Sequence, residues 1–171
     1  RQMCIRDRYY IFTSEEQVFN SDWDCPNVTI IPSRIRRGED AFNVVVNHIW
    51  EQVRLPMLAR KHKVDILHSP ANLAPLVYKG KSIVHIHDLC VVINPQWFSW
   101  SFRTVYNFII PRLAKRADKV VTNSNNSKND LLQFCGVPAD QVSQTYWAVD
   151  DVFIHEGLKN ISQSDLGDYI L

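Results

Sequence analysis

Short apolar runs alternate with amphipathic stretches along most of this chain. Tyr9-Tyr10-Ile11-Phe12 reads as a buried strand, broken by Ser14-Glu15-Glu16. Asn27-Val28-Thr29-Ile30-Ile31-Pro32 reads as a second strand, stopped by its proline. Three further runs are rich in Val and Ile and end in small or polar residues: 64–70, 82–89 and 119–124. Gln141 to Trp147 reads as another strand. Between them the period changes to that of a helix. Glu39 to Lys63 is predicted helical, with Val45, Ile49, Val53 and Leu58 as its apolar stripe and Trp50 and Met57 beside it. Pro56 predicts a kink or a division there. Trp97 to Arg116 is a second long helix, with Phe98, Phe102, Val105, Ile109 and Leu113 on its core-facing stripe and Pro111 inside it. Most of its aromatic cluster (Trp97, Phe98, Trp100, Phe102, Tyr106, Phe108) is assigned to the core, since aromatics dominate core packing. Ser124 or Ser127 caps a short helix, with Ser127-xx-Asp130 a weak capping box, and Gly136 ends that helix in a left-handed conformation.

Alternating strands and helices predict an α/β fold with a mainly parallel sheet and right-handed crossovers. Residues 1–8 show neither period and are expected to be a non-native leader. Residues 9–153 form the α/β unit. Residues 154–171 read as a polar linker ending in a strand-like Tyr169-Ile170-Leu171.

Composition narrows the function. The net charge is +1 and no long basic run occurs, so bulk electrostatics gives no reason to propose nucleic acid binding. No apolar run approaches the ~18 residues of a membrane span. Cys4, Cys25, Cys90 and Cys135 are scattered without metal-ligand spacing, which fits a reduced, cytoplasmic protein with no metal site. The chain has only 5 Gly and lacks GxGxxG and GxxxxGK[ST], which argues against a dinucleotide fold and a P-loop.

In an open parallel sheet, ligands bind outside the carboxyl ends of the strands. Those ends carry His68 and Ser69, His87 and Asp88, and Asn123 and Ser124. His87 at a strand end can hydrogen-bond a sugar hydroxyl or phosphate, or carry a proton near neutral pH. Asp88 can orient it or cap the next segment. His68 is placed level with His87, whereas His85 is placed on the opposite sheet face as a core histidine. Asn123-Ser124 sits where free backbone N–H groups can meet an anion. Asp65, Asp88 and Asp118 lie at different strand levels, so a glycosidase carboxylate pair is not supported.

One ordered series is more specific than any of its parts. Trp50-Glu51-Gln52, Leu55-Pro56 and Val64-Asp65-Ile66-Leu67-His68-Ser69-Pro70 are followed by Val84-His85-Ile86-His87-Asp88-Leu89 and Asn94-Pro95-Gln96-Trp97-Phe98. Then come Ala117-Asp118-Lys119-Val120-Val121-Thr122-Asn123-Ser124, Gly136-Val137-Pro138 and Ala148-Val149-Asp150-Asp151-Val152-Phe153. The series resembles the family 4 glycosyltransferases of GT-B architecture, in particular the acceptor-side, N-terminal domain of a bacterial mannosyl- or rhamnosyltransferase-like enzyme. The resemblance implies a Rossmann-like domain that is one half of a GT-B fold. It also implies retaining transfer of a sugar from a nucleotide-diphosphate donor to a glycan or lipid-linked acceptor, without cofactor or metal, in surface-polysaccharide synthesis. His87, with Asp88, takes the place of the family's His-Asp motif. His68, Ser69, Asn72, Asn123 and Ser124 are implied as substrate-binding. A lipid-linked acceptor implies peripheral membrane contact, with Trp97, Trp100 and Arg103 at the interface. The family's opening strand and Gly-rich turn and its Glu-x7-Glu pair are absent from this sequence. The chain is therefore expected to be a fragment, inactive alone, with a donor-binding domain to follow. The competing expectations are a non-catalytic binding or scaffold domain of the same fold, and a different α/β enzyme such as an epimerase.

Overall fold

The computed structural model describes residues 7–13, 26–32 and 46–148. Expectations for the leader, for residues 39–45 and for 149–171 lie outside the described residues. Two parallel sheets form. In the smaller, β1 (Tyr9–Thr13) pairs with β2 (Val28–Pro32) in register Tyr9↔Val28 to Thr13↔Pro32. In the larger, β3 (Ile66–Ser69), β4 (Lys81–His85), β5 (Lys119–Thr122) and β6 (Val142–Gln144) lie side by side in chain order, all parallel. The fold is α/β and Rossmann-like, as the alternation of periods predicts.

Residues 46–49 are helical and run into a wide turn, Trp50–Arg54, and then α1 (Leu55–Lys61). The wide turn answers Pro56. A proline has no N–H and its ring crowds the carbonyl four residues back. The Leu55 N–H instead reaches the Trp50 carbonyl, which opens the turn ahead of the ring. That extra residue also shifts the helical phase. The buried face is Leu55, Pro56 and Ala59, while Ile49 and Val53 of the expected stripe, and Met57 beside it, are exposed.

α2 (Cys90–Ile93) is a single turn, and α3 (Trp100–Arg116) runs on through Pro111. The core-facing row of α3 is Ile110, Leu113 and Ala114, leading to Ala117, which pack with Val84, Ile86, Val120 and Leu131. Small residues in this row let the helix approach the sheet. The aromatics expected in the core are therefore largely displaced: Trp97 is 68% and Trp100 71% exposed, and Phe108 is also exposed. Phe98 and Tyr106 do pack against the core. Phe102 stacks between them, 5.4 Å from Phe98 and 4.0 Å from Tyr106 between ring centroids. A second cluster, Leu55, Ala59, Leu67 and Tyr78, is joined by Phe12, Trp50 and Val64.

α4 (Asn125–Asp130) begins at Ser124, whose side chain accepts the Ser127 N–H, as the cap pattern predicts. It continues through a wide turn, Leu131–Cys135, to Gly136 at φ 61°, the left-handed stop expected there. β6 is shorter than the sequence suggests: it ends at Gln144, and Gln141 belongs to a 3₁₀ turn, Ala139–Gln141, held by its side-chain amide on the Ala114 and Ala117 carbonyls.

Candidate functional site

The carboxyl end of β4 is the most constrained loop junction among the described residues. Past His85 the strand continues by one bond, from the Ile86 N–H to the Val121 carbonyl at 2.9 Å. His87 then leaves the ladder, and its backbone groups need new partners. Asn72, from the loop after β3, accepts the His87 N–H on Oδ1 at 2.8 Å. Ser127, from the first turn of α4, donates its hydroxyl to the His87 carbonyl at 2.9 Å. The ring is held as well, with Nε2 3.1 Å from the Pro70 carbonyl. A carbonyl can only accept, so Nε2 carries the proton and Nδ1 of the neutral ring keeps a lone pair. Nδ1 is enclosed and has no hydrogen-bond partner among the described residues.

These bonds join the ends of β3, β4 and β5 into one unit. The loop that supplies Asn72 is itself fixed by Gln52, whose amide donates to the Ala74 carbonyl at 3.0 Å and accepts the Leu76 N–H at 2.9 Å. The Ser124 hydroxyl donates to the Ser127 oxygen at 3.0 Å, so the cap of α4 and the support of His87 are one network. Ser127 is buried, which makes its hydroxyl bonds hard to exchange for water.

Asp88 is exposed, and its Oδ1 accepts the Cys90 N–H at 2.9 Å, the capping role among those its position allowed. Asn123 is half-buried at the end of β5. Ser69 is buried in the core-facing row of β3, opposite Val84 in register. His68 lies two same-face positions lower than expected, paired with Ile83, and its ring meets that of His85 at 4.9 Å. His85 is not on the opposite face from His87. Residues two apart along a strand share a face, and these two rings lie 6.1 Å apart. His68 of β3, His85 of β4 and His87 just beyond β4 thus form a row on one face of the sheet. Burial first, and then electrostatic interaction with the adjacent His68 and His87 rings, pushes the His85 pKa down, which favours its neutral form. Among the described residues no group of three or more His, Cys, Asp or Glu side chains is placed to hold a metal ion.

Three contributors are not evident from the sequence as site residues. Ser127 carries only a capping signal there. Gln52 acts through a loop more than twenty residues on, at Ala74 and Leu76. Trp147, past β6, brings its ring to 5.4 Å from the His87 ring at 79°. An aromatic two or three residues beyond a strand's end is a weak signal of this kind.

Residues 8–153 match the family described as Glycosyltransferase Family 4. No curated protein matches the chain significantly. Among solved structures, the chain is similar to a glycosyltransferase from Rickettsia africae ESF-5, at 16% identity and a TM-score of 0.44. The match covers 94% of this chain and 48% of that one, so the chain spans about half the length of that structure.

Proposed function

This chain belongs to glycosyltransferase family 4, and from that premise we propose that the complete protein transfers a sugar from a nucleotide-diphosphate donor to an acceptor hydroxyl, with retention. The observation that carries the reading is His87, fixed at three points at the carboxyl end of a parallel strand. Such clamping holds a catalytic group in place before substrate arrives, so little is spent on reorganisation in the reaction. The ring so held presents a polar edge at the strand end, where it hydrogen-bonds a hydroxyl of the transferred sugar. Asn72, Ser124 and Ser127 are positioning residues in this reading, while Asn123 and the open end of the crevice face the acceptor.

Surface-polysaccharide synthesis with a mannose- or rhamnose-type sugar is the pathway class we assign. A lipid-linked acceptor fits the surface around α3, where Trp97, in the turn before the helix, and Trp100 and Phe108, within it, are exposed. The Arg112 guanidinium covers the Phe108 ring at 3.6 Å, and α3 contains no Asp or Glu. Aromatic and basic side chains together suit the edge of an anionic bilayer. Among the described residues no helix is long and apolar enough to cross a membrane, so the proposed contact is peripheral.

The test is a screen of nucleotide-diphosphate sugars with the intact protein, following release of the nucleotide diphosphate with and without glycan and lipid-linked acceptors. Acceptor-dependent release with one donor supports the reading. Binding of a glycan with no release from any donor would favour a binding or scaffold domain instead.

A further inference from the structure

Two large aromatics are left in solvent at the end of β6. Trp147 is 71% exposed and Tyr146 69%. Single exposed hydrophobics are ordinary on a protein surface, but these sit at a ligand-binding position of the fold, outside the carboxyl ends of parallel strands. They are also held there. The Thr145 N–H donates to the Thr122 carbonyl at 2.8 Å, which ties the loop to β5. The Asn125 amide reaches the Tyr146 hydroxyl at 3.4 Å, which ties it to α4. The Trp147 ring stands almost perpendicular to that of His87. At that exposure at least one indole face is open beside the imidazole.

We propose that Trp147 is a stacking platform that sets a pyranose ring against His87, with Tyr146 widening it. The inference rests on the transferase reading and adds the residue that orients the sugar. A pyranose has an apolar C–H face and a rim of hydroxyls. The indole supplies a rigid flat surface for the first, at the cost of few rotatable bonds. The half-buried His87 imidazole, 5.4 Å away between ring centroids, supplies a polar edge for the second. Sites for small polar ligands combine an aromatic wall with a few convergent polar groups in this way.

The experiment is saturation-transfer NMR on the intact protein, with methyl glucoside, methyl mannoside and methyl galactoside as acceptor-type probes. Nucleotide sugars and their free nucleotide diphosphates are run in parallel. Transfer to the C–H face of a pyranose is expected in the wild type. It should fall about ten-fold in Trp147→Ala, about the cost of 1.4 kcal/mol in affinity, and persist in Trp147→Phe and in a variant of another exposed aromatic, Phe134→Ala. Loss with methyl glycosides assigns the platform to the acceptor sugar, and loss with nucleotide sugars alone assigns it to the donor sugar. Unchanged transfer in Trp147→Ala, or no pyranose transfer in the wild type, overturns the proposal. The readout needs no turnover. Pyranose binding through Trp147 without glycosyl transfer would refute the transferase reading alone.

Discussion

Ser127→Ala removes one oxygen and two hydrogen bonds that converge on the His87 junction. In the wild type the hydroxyl donates to the His87 carbonyl at 2.9 Å and accepts from the Ser124 hydroxyl at 3.0 Å. Ser124 is only half-buried, so water can replace its lost partner. The His87 carbonyl is less easily served, because Ser127 itself is buried. One net hydrogen bond is worth about 1 kcal/mol, and an unsatisfied buried acceptor adds about 1–3 kcal/mol. We expect a total of about 2–4 kcal/mol, or a fall of roughly 4–16 °C in Tm for a chain of this size. Urea unfolding followed by circular dichroism measures it, with an unchanged m-value showing that the fold persists. Asn72→Ala cuts the other side of the same residue, at the His87 N–H. If the two bonds act as one clamp, the double variant loses less than the sum of the singles, by about 0.5 kcal/mol or more. A loss below about 0.5 kcal/mol for Ser127→Ala, or strict additivity in the cycle, would refute the clamp.

Further expectations concern other parts of the molecule. Burial raises the Glu51 carboxyl from 4.5 to about 7. The unfolded chain therefore releases this proton at lower pH than the folded one, and the Glu51 contribution makes stability fall as pH rises from about 4.5 to 7. Glu51→Gln should flatten that slope in urea midpoints taken across the window, and an unchanged slope would count against it. Gly136 sits at φ 61°, with 3.8 Å of room from the position of a Cβ to the Lys115 side chain. Gly136→Ala should thus cost only the left-handed conformation, about 1–2 kcal/mol, in the same assay. Co-sedimentation with anionic vesicles should be lost when Trp97 and Trp100 are both replaced by Ala, and equal binding by the variant would exclude this face of α3.

Most strands of this protein were legible in its sequence because each is a short apolar run, β-branched or aromatic, ended by small polar residues or proline. The Ser124 cap and the Gly136 stop were legible because their chemistry is local. The faces of the two long helices were not. Pro56 forces a wide turn that offsets the phase of α1, so Ile49 and Val53 point away from the core. In α3 the sheet buries Ile110 and Ala114 beside the expected Leu113 and leaves Phe102 and Val105 exposed, a choice of face that a periodicity count cannot weigh. For the site, His87 is conspicuous at the end of its run, but its three anchors come from Pro70, Asn72 and Ser127, brought together only by the sheet order. The row of His68, His85 and His87 follows from strand alternation and register combined.

The most direct test of the account is the turnover of His87→Ala in the intact protein, with the donor found by the nucleotide-sugar screen. The account predicts a fall of about 10²-fold or more, the usual loss for one pre-positioned polar group, with the variant still folded by circular dichroism. Turnover at the wild-type rate would contradict it, and the catalytic centre would have to be sought away from the end of β4.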